Sequence, residues 1–186
     1  PIETIQAIRR VADRHHLPMH LDGARLLNAV VASGVSAADY ARPFDTVTFC
    51  LSKGLGAPAG SLIATDDRAL LDRMRRLRRM YGGAMRQAGI LAAAGIHALE
   101  QHVARLADDH ANAKRFAALL AGIPAVSVDP RSVETNIVFF DIRENGKPIR
   151  DIVAALKQRG VLLSATGGRT CRAVTHLDVS SGDIER

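Results

Sequence analysis

Apolar residues recur at every third position through Ile2, Ile5, Ile8 and Val11, among Glu3, Gln6, Arg9 and Arg10, and this predicts an amphipathic helix over residues 1–16. Pro18 to Asp22 reads as a short strand, and residues 24–33 as a second helix ended by Gly34. The β-branched and aromatic run from Phe44 to Leu51 predicts a buried strand that meets a turn-rich segment, Ser52 to Gly60; Ser61 to Ala64 is a further strand. Residues 67–80 predict a helix with Leu70, Leu71, Met74, Leu77 and Met80 on one face and arginines on the other, closed by Gly82-Gly83. One Ala-rich helical stretch is expected from about 85 to 121, with Leu91, Ala94, Ala98, Leu106 and Leu119 turned inward, until Gly122-Ile123-Pro124 breaks it. Strands then follow near 125–128 and 135–141, a helix near 148–158, and strands near 161–164 and 171–176. Such alternation predicts an α/β fold, with residues 1–106 in a larger domain and 107–186 forming a connecting helix and a smaller domain.

Composition narrows the class. The 186 residues carry 25 Lys plus Arg against 19 Asp plus Glu, a formal charge of +6, and 47% are apolar, so the chain can bury a core and global disorder is excluded. No run approaches the ~18 apolar residues of a membrane span, and Pro1-Ile2-Glu3-Thr4 is not the start of a secretory leader, so no membrane association is expected. Cys50 and Cys171 stand in neither a disulfide framework nor a metal spacing, which predicts no metal site and a reducing, cytoplasmic setting. Pro1 opens directly onto a helical pattern, as expected of a piece of a longer protein.

Among the 25 basic residues only four are lysines, Lys53, Lys114, Lys147 and Lys157, so amine chemistry has few candidates. Lys53 follows the predicted buried strand in a loop rich in Gly. Partial dehydration at such a strand end would favour the neutral amine and Schiff-base chemistry. A plain loop lysine is the competing reading; GxxxxGK is absent. Asp22 leaves the carboxyl end of its strand, where open α/β sheets form ligand crevices. It is equally a candidate N-cap for the helix that follows. The 31-residue spacing to Lys53 accommodates one helix and one returning strand, so both side chains can reach one sheet edge. Together they suit a cofactor with one carbonyl and one ring nitrogen.

Four strings carry a resemblance: His20-Leu21-Asp22-Gly23-Ala24-Arg25, Leu51-Ser52-Lys53-Gly54-Leu55-Gly56-Ala57-Pro58, Gly82-Gly83-Ala84-Met85-Arg86-Gln87 and Arg172-Ala173-Val174-Thr175-His176-Leu177-Asp178. In this order they closely resemble the low-specificity L-threonine aldolases, enzymes of the pyridoxal-phosphate (PLP)-dependent transferase fold, fold type I. The resemblance implies the C-terminal half of the PLP-binding large domain plus the small domain. It implies that Lys53 forms a Schiff base with pyridoxal 5'-phosphate and that Asp22 pairs with the pyridine nitrogen. Arg25 and Arg172 are implied to hold the substrate carboxylate, and Arg86 the cofactor phosphate. The implied activity is cleavage of L-threonine or L-allo-threonine to glycine and an aldehyde by a homodimer or homotetramer. A β-eliminating lyase or another amino-acid PLP enzyme is the alternative within that fold.

The resemblance also implies a glycine-containing phosphate loop and a ring-stacking histidine ahead of residue 1. Of the seven histidines, His15, His16, His97, His102 and His110 read as surface or packing residues, whereas His20 and His176 lie within motifs. The arginines at 68, 73, 75, 76, 78 and 79 form a basic patch that would suit nucleic acid. With Asp66, Asp67 and Asp72 interleaved, few aromatics nearby and an apolar stripe behind, a solvated helix face is the expected account, with no nucleic-acid partner.

Overall fold

The computed structural model describes residues 1–143 and 147–186. The chain divides into two compact units, Pro1–Ala104 and Arg105–Arg186.

In the first unit, α1 (Ile2–Arg14) leads to β1 (His20–Asp22), α2 (Leu26–Ser33), α3 (Ala37–Ala41), β2 (Thr46–Cys50), β3 (Ser61–Ala64), α4 (Arg68–Met80) and α5 (Gly89–Gln101). The strands lie in the order β1-β2-β3, with β1 and β2 parallel and β3 antiparallel to β2. Parallel neighbours need a crossover, and α2 with α3 supplies it. His20 pairs with Thr46, Leu21 with Val47 and Asp22 with Thr48. Strand alternation therefore sets Leu21, Val47 and Phe49 on one face and His20, Asp22, Thr46 and Thr48 on the other. The caps follow local chemistry. Ser36 accepts from the Asp39 N–H at 3.0 Å and Asp67 from the Leu70 N–H at 3.0 Å, the first starting a short helix absent from the periodicity reading. On α4 the stripe Leu70, Leu71, Met74 and Leu77 is half-buried, whereas Met80, expected on the same face, is 70% exposed.

The second unit holds α6 (Leu106–Ala121), β4 (Val126–Ser127), a 3-10 turn (Pro130–Ser132), β5 (Ile137–Ile142), α7 (Ile149–Gln158), β6 (Ser164–Gly167), β7 (Thr170–Val174) and α8 (Ser181–Ile184). Its antiparallel sheet has the order β4-β5-β7-β6. Val138, Phe140 and Ile142 alternate inward along β5 and join Ala113, Ala117, Leu120, Val126, Val133 and Cys171 in one core. Beside it lies a buried polar cluster. Asp109 is paired with Arg105; the Thr175 hydroxyl donates to the Asp109 carbonyl at 2.6 Å, and Asn136 Nδ2 donates to the Thr175 carbonyl at 2.8 Å. These partners offset the cost of burying polar groups.

Several boundaries differ from the pattern-based reading. The single helix expected over 85–121 is two, α5 and α6, although no Gly or Pro occupies residues 102–105. Leu119, expected inside, is 37% exposed; Ala113, Ala117 and Leu120 carry the inward face of α6 instead. The apolar run Val161-Leu162-Leu163 precedes β6 and leaves Leu162 exposed, because β6 takes its register from β7, Ser164 pairing with Arg172.

Candidate active site

Asp22 ends β1 and Lys53 lies three residues beyond the end of β2, so both leave the carboxyl ends of adjacent parallel strands. The turn that aims Asp22 rests on Gly23. Its N–H donates to the Thr48 carbonyl at 2.8 Å, and a β-carbon there would stand 2.6 Å from that oxygen. Asp22 does not cap α2: the N-cap position belongs to Arg25, and Asp22 Oδ1 accepts instead from the Ala24 N–H at 3.2 Å. That bond leaves its other carboxylate oxygen without a partner among the described residues.

The Lys53 loop is closed by its own backbone. Leu51 N–H donates to the Gly60 carbonyl at 2.9 Å, Ala57 N–H to the Leu51 carbonyl at 3.0 Å, and Gly56 N–H to the Lys53 carbonyl at 2.8 Å. Leu51, Gly54 and Leu55 are buried while Ser52 and Lys53 are exposed. The expected dehydration of Lys53 is thus not supplied by the described residues: burial falls on the flanking residues, and the amine projects from the crest of the turn. No described residue forms an ion pair or hydrogen bond with its side chain. An amine and a carboxylate, neither committed to another charge, stand at one sheet edge; this donor set fits PLP, whose carbonyl takes an amine and whose ring nitrogen takes a carboxylate.

Arg25 lines a small crevice, about 10 Å³, together with Ala24, Asn28, Cys50, Gly54 and Leu55, so the turn after Asp22 and the loop carrying Lys53 share a wall, although neither Asp22 nor Lys53 lines it. A larger cavity of about 680 Å³, bordered by Ile2, Gln6, Arg9, Asp39 and Arg42, contains none of the candidate residues. Arg86 lies in the exposed segment between α4 and α5 and makes no hydrogen bond or ion pair among the described residues. Arg172 belongs to the second unit, on β7, half-buried and paired in register with Phe139 and Ser164.

The histidines separate by contact. His20 lies across β2, with Nδ1 2.8 Å from Thr46 Oγ1 and Nε2 3.5 Å from Thr48 Oγ1. His176 is exposed and accepts from the Asp178 N–H at 3.3 Å. His110 is 6% exposed in α6, and burial pushes its imidazole below the usual histidine range, with Asp109 opposing and Lys114 assisting. His102, read from sequence as surface or packing, places Nδ1 2.6 Å from the Leu55 carbonyl beside the lysine loop. The available signal was the spacing Gly95, Ala98, His102, which continues one face of α5 into its C-cap.

A family model described as "Beta-eliminating lyase" matches residues 1–145. The low specificity L-threonine aldolase of Escherichia coli K12 is 42% identical over 97% of this chain and 52% of its own length. Low-specificity L-threonine aldolase 1 of Arabidopsis thaliana is 34% identical over 98% of this chain and 51% of its own. The solved threonine aldolase of Leishmania major superposes with a TM-score of 0.76 at 21% identity, covering 100% of this chain and 54% of that one. The chain thus spans about half the length of the curated relatives it matches.

Proposed function

The chain belongs to the beta-eliminating lyase family and has the α/β fold of PLP-dependent transferases of fold type I; from that premise we propose that the whole protein is a PLP-dependent carbon–carbon lyase cleaving L-threonine or L-allo-threonine to glycine and acetaldehyde. The observation that carries this reading is the placement of Asp22 and Lys53 beyond the carboxyl ends of the parallel pair β1 and β2, with Arg25 and Gly54 lining one crevice. PLP, when bound, supplies an electron sink for the carbanion left at Cα. Lys53 would hold the cofactor through its amine, which takes the cofactor's carbonyl. Asp22 would pair with the ring nitrogen and favour its protonated form. Arg25 and Arg172 bind the substrate carboxylate, which orients the Cα–Cβ bond for cleavage; guanidinium forks match a carboxylate with paired donors. Arg86 is assigned to the cofactor phosphate. The similarity to relatives named threonine aldolases supports aldol cleavage over other reactions of the fold.

The family's description favours a second reading, β-elimination, in which a β-hydroxy amino acid yields a keto acid and ammonia. One experiment separates the two. Full-length protein loaded with PLP is incubated with L-threonine and L-allo-threonine; glycine with acetaldehyde supports the aldolase, 2-oxobutyrate with ammonia the eliminating lyase, and no consumption of either substrate removes both.

A further inference from the structure

Gly95 and Ala98 of α5 and its C-cap residue His102 follow at spacings of three and four, on one side of the helix end. That side is applied to the lysine loop at two points. At Gly95 a β-carbon would lie 2.9 Å from Leu51 Cδ1, so the leucine occupies the space that a side chain would take. At His102, Nδ1 lies 2.6 Å from the Leu55 carbonyl oxygen. Leu51 is 7% and Leu55 3% exposed, whereas Ser52 and Lys53 between them face solvent. The loop is thus held at two buried leucines, with Lys53 at the crest and the Gly56 N–H bonded back to the Lys53 carbonyl at 2.8 Å. A carbonyl oxygen only accepts, so His102 must carry a proton on Nδ1, and this is so in one neutral tautomer and in the charged ring. The His97 ring meets His102 edge-on at 5.2 Å between centroids, and the His102 N–H donates to the Ala98 carbonyl at 2.9 Å, so both ring and backbone of His102 are held.

We propose that His102 is a positioning residue for Lys53: through its Nδ1–H bond to Leu55 it holds the 51–56 turn, so that the lysine amine keeps one place at the sheet edge. The inference rests on Lys53 being the cofactor-binding amine. Rate and selectivity at an amine depend on its being held where the carbonyl arrives, and a loop freed at one of two anchors gives up that preorganisation. His102→Leu removes the donor and leaves the Leu55 carbonyl unpaired, whereas His102→Asn offers an amide N–H near the place of Nδ1.

The test uses full-length protein and two readouts. Amide hydrogen exchange across residues 51–57, measured without PLP, is expected to quicken about tenfold in His102→Leu and to stay within about threefold of the parent in His102→Asn, as for a segment that has lost one buried hydrogen bond. Borohydride trapping with substoichiometric PLP, followed by peptide mapping, is expected to show the Lys53 share of label, relative to Lys114, falling about fivefold in His102→Leu and recovering in His102→Asn. Unchanged exchange in His102→Leu, or a His102→Asn variant no better than His102→Leu in either readout, overturns the proposal. Parent protein that labels Lys53 yet cleaves neither threonine isomer defeats the aldolase reading and leaves the positioning role intact.

Discussion

The carbonyl oxygen of Thr48 lies 2.6 Å from where a β-carbon on Gly23 would stand, so β2 and the turn after β1 meet backbone to backbone. The obstruction is main chain within a paired strand, which cannot rotate away as a side-chain tip would. Gly23→Ala is expected to destabilise the full-length protein by about 1–3 kcal/mol, as overpacking does. Gly89→Ala, at the first position of α5 with nothing within 4 Å of the added carbon, is the control and is expected to change stability by under about 0.5 kcal/mol. Urea midpoints measure both; equal midpoints for the two variants would show that the close approach is relaxed at no cost.

Asp22→Asn isolates the carboxylate's charge from its hydrogen bond. Asparagine Oδ1 accepts from the Ala24 N–H as aspartate does, so stability is expected to hold within about 0.5 kcal/mol. Turnover of L-threonine is expected to fall at least a hundredfold, roughly 3 kcal/mol, if Asp22 holds the proposed place beside the ring nitrogen. Turnover near that of the parent would make Asp22 a turn residue only.

Lys53→Ala is expected to abolish the visible absorbance of lysine-bound PLP, whereas Lys114→Ala, on the exposed side of α6, should retain it. Because the Lys53 side chain is exposed and unpartnered among the described residues, its removal is expected to leave thermal unfolding of the apoprotein within a few degrees of the parent's. A retained band with label mapped elsewhere after borohydride reduction would assign the amine to another lysine.

His110 makes stability depend on pH. Its folded pKa is held below the ordinary value near 6.5, chiefly by burial. The unfolded chain therefore binds a proton at this site, as pH falls below about 6.5, that the folded chain refuses until its own lower pKa is reached. The contribution is complete above about pH 6.5 and is lost on acidification through that window, with a slope of up to about 1.4 kcal/mol per pH unit. In His110→Gln the slope between pH 6.5 and 5 should shrink; parallel curves for parent and variant would show that the imidazole titrates alike in both states.

Features with a local cause were legible before any coordinates. The three-residue recurrence marked α1, the arginine-against-leucine pattern marked α4, and the β-branched run marked β2, since each rests on propensity or periodicity within a few residues. Asp22 and Lys53 were legible as candidates because one crossover's length separates them, and the parallel pairing of β1 with β2 sets both beyond adjacent carboxyl ends. Their surroundings were not legible. Whether Asp22 caps α2 or turns back onto Ala24 depends on where Gly23 meets Thr48, a contact across 25 residues. The division of residues 85–121 into α5 and α6 carries no Gly or Pro signal at residues 102–105; a histidine whose ring belongs to Leu55, 47 residues away, stands at that junction. Leu119 faces outward while Ala117 and Leu120 face inward because the sheet of the second unit selects which stripe of α6 it covers. Composition along a helix names the stripes it could bury, and the choice among them is made by the partner surface, which pattern does not encode.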